Sequence, residues 1–146
     1  MNEIHFSSET VEWETPRSFF DPINFMYDLT LDVCATPENA KCKRFFTKAD
    51  NGLLKPWFGE RVWMNPPYGR TETLRWVRKA YLERNCAEMI IGLVPSRTDT
   101  QWFHKYIWGV ANSVHFIEGR LKFGGSVNAA PFPSLLFIYR RGDNKR

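Results

Sequence analysis

Met89-Ile90-Ile91-Gly92-Leu93-Val94, stopped by Pro95, is a run of six residues without a polar side chain, and it limits the possible folds more than any other segment. A strand with one wet face alternates apolar and polar residues. An unbroken apolar run must be covered on both faces, which suits the middle of a parallel sheet with helices on either side. The segments before it fit that placement. Arg61 to Met64 reads as a strand, and residues 71–84, with Leu74, Val77 and Tyr81 at i, i+3 and i+7, read as the helix joining the two. Leu29-Thr30-Leu31-Asp32-Val33-Cys34 and the shorter Arg44-Phe45-Phe46-Thr47 are further strands. Thr15-Pro16 predicts a helix opening, Thr as cap and Pro in the first position, with a break and restart at Asp21-Pro22. Thr98-Asp99-Thr100-Gln101 has capping-box spacing ahead of Trp102, Phe103, Tyr106, Ile107 and Val110, which predicts another helix with an apolar core stripe. Residues 113–117 and 134–139 read as two strands with no helical pattern between them, so they should pair antiparallel. The expected fold class is α/β: a mostly parallel sheet, helices on both faces, and an antiparallel pair of strands at the C-terminal end.

At 146 residues the chain can bury roughly 70% of its unfolded surface, which predicts a single domain over 1–146 with a short polar tail at 142–146. Aromatic residues make up 16% of the chain, including 12 Phe and 6 Trp, and most of them must build the core. No apolar run approaches the roughly 20 residues a membrane span needs, and Met1-Asn2-Glu3-Ile4-His5 lacks the regions of a signal peptide. A cytoplasmic protein without a membrane partner is expected. Cys34, Cys42 and Cys86 are odd in number and lack C-x-x-C spacing, while His104 and His115 have no ligand spacing to each other or to cysteine. That argues against a disulfide framework and against a metal site. A net charge of +4 is compatible with a polyanionic partner but decides nothing alone.

The chemistry is concentrated where the strand Arg61 to Met64 runs into Asn65-Pro66-Pro67-Tyr68-Gly69. Two prolines fix φ and remove two N–H donors, so the loop offers carbonyl oxygens with no competing donors of its own. The Asn65 carboxamide oxygen and the Pro66 backbone carbonyl can each accept a proton of an exocyclic amine, and Tyr68 can offer a ring face to an aromatic base. Taken alone, Pro-Pro-Tyr-Gly also fits a simple exit turn from a strand. Asp32 lies in the first strong strand and Asp50 follows 18 residues later, near the spacing at which an acidic residue reaches a ribose hydroxyl in nucleoside-binding folds. Asp32 could instead cap a nearby helix, and Asp50 equally suits the start of the Asp-Asn-Gly turn. Neither a G-x-G-x-x-G nor a G-x-x-x-x-G-K-[ST] pattern is present, so a cofactor without phosphates is the better fit.

In these residues the chain resembles the phage-type DNA adenine N6-methyltransferases, which use S-adenosylmethionine. The resemblance runs from about Trp13 to Tyr139 in six ordered blocks. These are Trp13-Glu14-Thr15-Pro16, Leu31-Asp32-Val33-Cys34-Ala35, Phe46-Thr47 with Asp50-Asn51-Gly52-Leu53, Asn65-Pro66-Pro67-Tyr68-Gly69, Leu93 to Thr100, and Gly119-Arg120-Leu121-Lys122-Phe123. It implies a compact class I, Rossmann-like methyltransferase fold and places Asn65, Pro66, Pro67 and Tyr68 at the catalytic motif that grips and stacks the target adenine. It places Trp13, Thr15 and Pro16 over the methionine end of the cofactor, Asp32 and Cys34 in the first cofactor motif, and Asp50 at the adenosine. The chain departs from the usual pattern after the first strand, where Cys34-Ala35-Thr36-Pro37 replaces a glycine-rich turn. Encoded by a phage, such an enzyme would act in the host cytoplasm, and restriction–modification is one setting for it.

The implied partner is double-stranded DNA, with the adenine flipped out of the helix. Arg70, Arg75, Arg78 and Lys79 on or after the catalytic loop, Arg97 at a strand end, and Arg120 and Lys122 in the Gly-containing stretch are the candidate DNA contacts. The helix cations fit a solvated surface equally well, and Arg120 a structural ion pair. Two other functions stay open on the sequence: methylation of RNA or of a protein amide, which the same tetrapeptide can grip, and a catalytically inactive DNA-binding relative.

Overall fold

A computed structural model describes residues 14–125 and 129–142; Trp13 and the tail residues 143–146 lie outside the described residues. In chain order the elements are α1 (Arg17–Tyr27), β1 (Leu31–Asp32), β2 (Arg44–Phe45), a 3-10 turn (Gly52–Leu54), β3 (Arg61–Met64), α2 (Arg70–Glu83), β4 (Met89–Pro95), a π-helical segment (Phe103–Ile107), β5 (Ser113–Phe116), a second 3-10 turn (Phe123–Gly125) and β6 (Ser134–Arg140). The strands form one sheet in the order β2-β1-β3-β4-β6-β5. The first four pair in parallel, and β6 inserts antiparallel between β4 and β5. This is the mixed α/β, Rossmann-like arrangement the sequence predicts, with its antiparallel pair at the end.

β4 is buried along its whole length because both of its faces are covered. Ile90 and Val94 join Val62, Met64, Leu135 and Phe137 in a core closed by Trp76 and Val77 of α2 and by Phe103 and Ile107. Met89, Ile91 and Leu93 point the other way and join Trp63, Leu136 and Ile138 in a second core, closed by Phe20 of α1 and by Phe123 and Phe132. The Phe20 ring meets the Trp63 indole edge-on at 5.0 Å, which ties α1 to the sheet.

Three local expectations are corrected. Pro16, not Thr15, is the N-cap of α1, and no side chain caps the helix; Pro16 carbonyl oxygen accepts from Phe19 and Phe20 N–H at 3.0 and 3.1 Å instead. α1 also runs through Pro22 without a break. Proline there removes the N–H that would bond to Ser18, and anchoring of the fully buried Phe20 outweighs that single loss. In the Trp102 region the cap is Thr100, whose hydroxyl accepts from Phe103 N–H at 3.3 Å, and the turn that follows is π rather than α, with Trp108 N–H on Phe103 carbonyl oxygen at 2.8 Å. The wider turn brings Trp102, Phe103, Tyr106 and Ile107 all into the core, as the apolar stripe predicts.

Candidate functional site

The parallel strands β1 to β4 all end on one side of the sheet, and two cavities open there. The first, about 1010 Å³, is bounded by the loop after β1, by residues 47–53, by Glu14 and Thr15, and by Trp63, Asn65 and Pro67 at the end of β3. The second, about 1230 Å³, is a groove along α2 that begins at Tyr68, Gly69 and Arg70 and has Pro131 and Phe132 on its opposite rim. The motif at the end of β3 is therefore the partition between them. Asn65 and Pro67 face the first cavity, while Tyr68 and Gly69 face the groove. Gly69 makes the change of direction possible: its φ of 151° and ψ of 162° lie in a region open essentially to glycine alone, and Thr73 Oγ1 accepts from its N–H at 3.3 Å to begin α2.

Asn65 is held from both sides. Tyr68 hydroxyl donates to Asn65 Oδ1 at 2.7 Å, and Asn65 Nδ2 donates to Thr15 Oγ1 at 2.9 Å. Tyr68 hydroxyl also lies 3.2 Å from Leu93 carbonyl oxygen. Burial, with a smaller push from Cys34, holds the Tyr68 phenol well above its ordinary pKa, so it stays a donor. The ring itself is only 5% exposed, with Phe132 and Phe123 edge-on at 5.5 and 6.2 Å. The open stacking face expected of Tyr68 is thus covered by the chain's own aromatics, and Phe132 shares the inner end of the groove with it.

Asp32, 3% exposed, stands at the end of β1 with each carboxylate oxygen on a backbone amide: Oδ1 accepts from Cys34 N–H at 3.2 Å and Oδ2 from Lys41 N–H at 3.0 Å. One side chain thus fixes both ends of the loop that stands where a glycine-rich turn was expected. Burial raises the Asp32 pKa to about 6, against the lowering by those two amides and by the charges of Lys41 and Arg17. Burial, then Asp32, pushes the Cys42 thiol up to about 12, so it stays neutral. Asp50 is placed differently. It is exposed, its Oδ2 accepts from Thr47 N–H at 2.9 Å and Oγ1 at 3.1 Å, and these bonds hold its carboxyl below the ordinary range. Its neighbours Ala49 and Asn51 line the cavity and Asp50 does not. Gly52 lines it as well, packed so closely that a Cβ there would stand 2.6 Å from Val33 carbonyl oxygen.

Of the expected cofactor residues, Thr15, Asp32 and Cys34 come together on this cavity, and Pro16 flanks it as the helix cap. The sequence did not single out Lys41, whose side chain is 4% exposed and reaches Asn39 carbonyl oxygen at 3.1 Å and Glu14 at 3.5 Å, nor Asn39, Thr36 and Asn51. Lysine buried beside an acidic strand end leaves no local pattern to find. Among the described residues no group of His, Cys, Asp and Glu is arranged to hold a metal ion, and no helix is long and apolar enough to cross a membrane.

The groove gathers Arg70, Arg75, Arg78, Lys79 and Arg97, and adds Lys105 and Gln101, which the sequence reading passed over. Gln101 and Lys105, four apart in the segment expected to be helical, share one face, and that was the available signal. Arg75 is paired with Glu72 at 3.0 Å. Lys79 is paired with Glu83 at 2.9 Å, lies over the Trp57 ring at 5.4 Å, and is 15% exposed, so it belongs to the packing of α2 more than to its surface. Arg70, Arg78, Arg97 and Lys105 are exposed and have no carboxylate partner among the described residues. Arg120 and Lys122 are exposed on the 117–133 connection and line neither cavity.

Residues 6–145 match the family model described as DNA N-6-adenine-methyltransferase (Dam). The chain is similar to a DNA N-6-adenine-methyltransferase of Escherichia phage T1, 31% identical over 150 residues, an alignment covering 88% of this chain and 62% of the phage protein. It thus spans under two thirds of that relative's length. It is also similar to the putative methyltransferase YfdM of Escherichia coli (strain K12), 35% identical over 65 residues, 39% of this chain and 70% of that protein. Among solved structures, a putative RNA methyltransferase from Pyrococcus horikoshii superposes with a TM-score of 0.48 at 11% identity, over 68% of this chain and 51% of that one.

Proposed function

From its membership of the DNA N-6-adenine-methyltransferase family, to which this chain belongs, we propose that it transfers a methyl group from S-adenosylmethionine to N6 of adenine in double-stranded DNA. The observation that carries this reading is the partition: one short motif forms a wall of a cavity of cofactor size on one side and the head of a basic groove on the other. A methyl transfer between two large ligands needs such a wall, because the reacting atoms must meet in line while the bodies of the ligands stay apart.

The first cavity fits the cofactor by its donor set. Asp32, Thr36, Asn39 and Asn51 supply polar partners for an adenosine and its hydroxyls, the Glu14 and Lys41 pair offers both signs of charge for an amino-acid end, and no phosphate cradle is needed. When bound, the sulfonium supplies an already activated methyl group. This chain's part is orientation. Asn65 Oδ1 and the Pro66 carbonyl accept the two protons of the adenine amine, which turns the nitrogen lone pair away from the ring and toward the methyl carbon. As the N–C bond forms and the S–C bond breaks, the surplus amine proton passes to solvent.

Adenine reaches that position only out of the duplex, at a cost of a few kcal/mol that contacts at the head of the groove must offset. Arg70, Arg78, Arg97 and Lys105 line the path along which the flanking phosphates would lie. The test is direct. The protein is incubated with labelled S-adenosylmethionine and, separately, duplex DNA, RNA and a protein extract. Label in N6-methyladenine of the duplex is expected, and label confined to RNA or protein, or none, rejects the proposal.

A further inference from the structure

Thr15 looks like a helix cap in the sequence, yet α1 makes no use of its hydroxyl. The side chain is 2% exposed and accepts a hydrogen bond from Asn65, 50 residues away. The segment that carries it is fastened on two further sides. Glu14 carbonyl oxygen accepts from Gly124 N–H at 2.8 Å, and Glu14 carboxylate pairs with Lys41 at 3.5 Å, whose own amide is bound to Asp32. A buried hydroxyl held this firmly gives its partner little freedom.

A carboxamide presents an acceptor on one end and two donors on the other, and a half-turn about its last torsion exchanges them with almost no change of shape. Asn65 grips an amine only with its oxygen toward the base; turned over, it would set N–H against N–H. In this structure Asn65 Oδ1 faces Tyr68, on the groove side, and Nδ2 faces Thr15, on the cavity side. We propose that Thr15 is a positioning residue for Asn65: its hydroxyl retains the amide nitrogen on the cofactor side and so keeps the carbonyl oxygen turned toward the adenine amine. The inference rests on the methyltransferase reading for its consequence, but not for the contact itself.

Thr15→Val keeps the shape and removes the acceptor, and Thr15→Ser keeps the hydroxyl. With the full chain, three quantities are measured for each: kcat and KM for duplex DNA and S-adenosylmethionine, the side-chain amide resonances of Asn65 in ¹⁵N-labelled free protein, and the urea midpoint. Thr15→Val is expected to lower kcat about ten- to a hundredfold, the cost of losing the hydrogen bond that orients the carboxamide, while KM for the methyl donor stays within about threefold. The Asn65 side-chain resonances should move and lose protection from exchange, and Thr15→Ser should restore both readouts. Thr15→Ala replaces Thr15→Val if the latter does not fold. The proposal is overturned if kcat survives the loss of the hydroxyl, if the whole loss sits in KM for the methyl donor, or if the Asn65 resonances are unmoved. Should the unaltered chain transfer no methyl group to DNA, the proposed function fails alone; unmoved Asn65 resonances would still overturn the positioning role, and shifted ones would uphold it.

Discussion

Asn65 and Asp32 stand at the ends of neighbouring parallel strands, and each governs one wall of the same cavity. Around Asn65 the chain is stiffened by its own covalent structure, with two prolines behind it and a glycine-only turn after it. The loop after Asp32 has no such stiffening until its amides at Cys34 and Lys41 close on one carboxylate. One wall is written into five consecutive residues; the other is assembled by folding. The wall at Asn65 should therefore tolerate changes elsewhere, whereas the wall at Asp32 should fail as a unit.

The sharpest way to break that contrast is to cut each anchor. Asn65→Ala should abolish methyl transfer, a loss beyond about a thousandfold, while calorimetric affinity for S-adenosylmethionine changes by less than about threefold. A variant retaining most of its turnover would sink the assignment of Asn65. Asp32→Ala leaves two buried amides without their acceptor, which should cost about 2 to 4 kcal/mol in urea unfolding and weaken cofactor binding at least about tenfold. Unchanged cofactor affinity would mean that the loop holds its shape without Asp32.

Titration sharpens the same point. The folded pKa of Asp32, about 6, lies above the ordinary carboxylate value of 3.8, so the protonated carboxyl favours the folded state. That contribution is complete below about pH 4 and is lost as pH rises through about 6, by about 3 kcal/mol at most. Stability of the natural protein relative to Asp32→Asn should accordingly fall as pH rises from 4 to 7. A difference that is flat or grows over that window would show that the two amides and Lys41 outweigh burial.

These contrasts also explain what could be read from the sequence. β3, β4 and β6 were legible because their residues are apolar on both faces, and the motif at Asn65 because its chemistry is local. β1 and β2 shrink to two residues each, and just past β1 the Asp32 side chain takes Cys34 N–H and turns the chain into a loop. Thr15 carries every local mark of a cap, and only a partner 50 residues away shows what its hydroxyl does. The alternation of charge along α2 was visible, but not that Lys79 is drawn down onto Trp57 while Lys105 arrives from another element.

The groove offers a smaller effect. Arg78→Ala and Lys105→Ala should each reduce the salt dependence of DNA binding by about one phosphate contact and weaken binding severalfold, with kcat at saturating DNA unchanged. Lys79→Ala should lower stability and leave the salt slope alone, because its charge is already matched by Glu83. Equal slopes for all three would place Lys79 on the DNA face after all.

Asp50 supplies the smallest expected change and the closest control for Asp32. The two carboxylates have the same chemistry and stood together in the sequence as candidates for holding an adenosine. Their surroundings differ: Asp32 is buried with its oxygens on the amides that shape the cavity, and Asp50 is exposed with one oxygen returned to Thr47 of its own turn. Replacing Asp50 by alanine removes a turn bond that water can replace, so cofactor affinity should stay within about twofold and methyl transfer should be unaffected. A tenfold loss of affinity would mean that residues 47–53 close over the bound cofactor and carry Asp50 onto it. That motion would make this wall of the cavity a movable one, and calorimetry on Asp50→Ala beside Asp32→Ala would separate a side chain that shapes the empty cavity from one that meets its occupant.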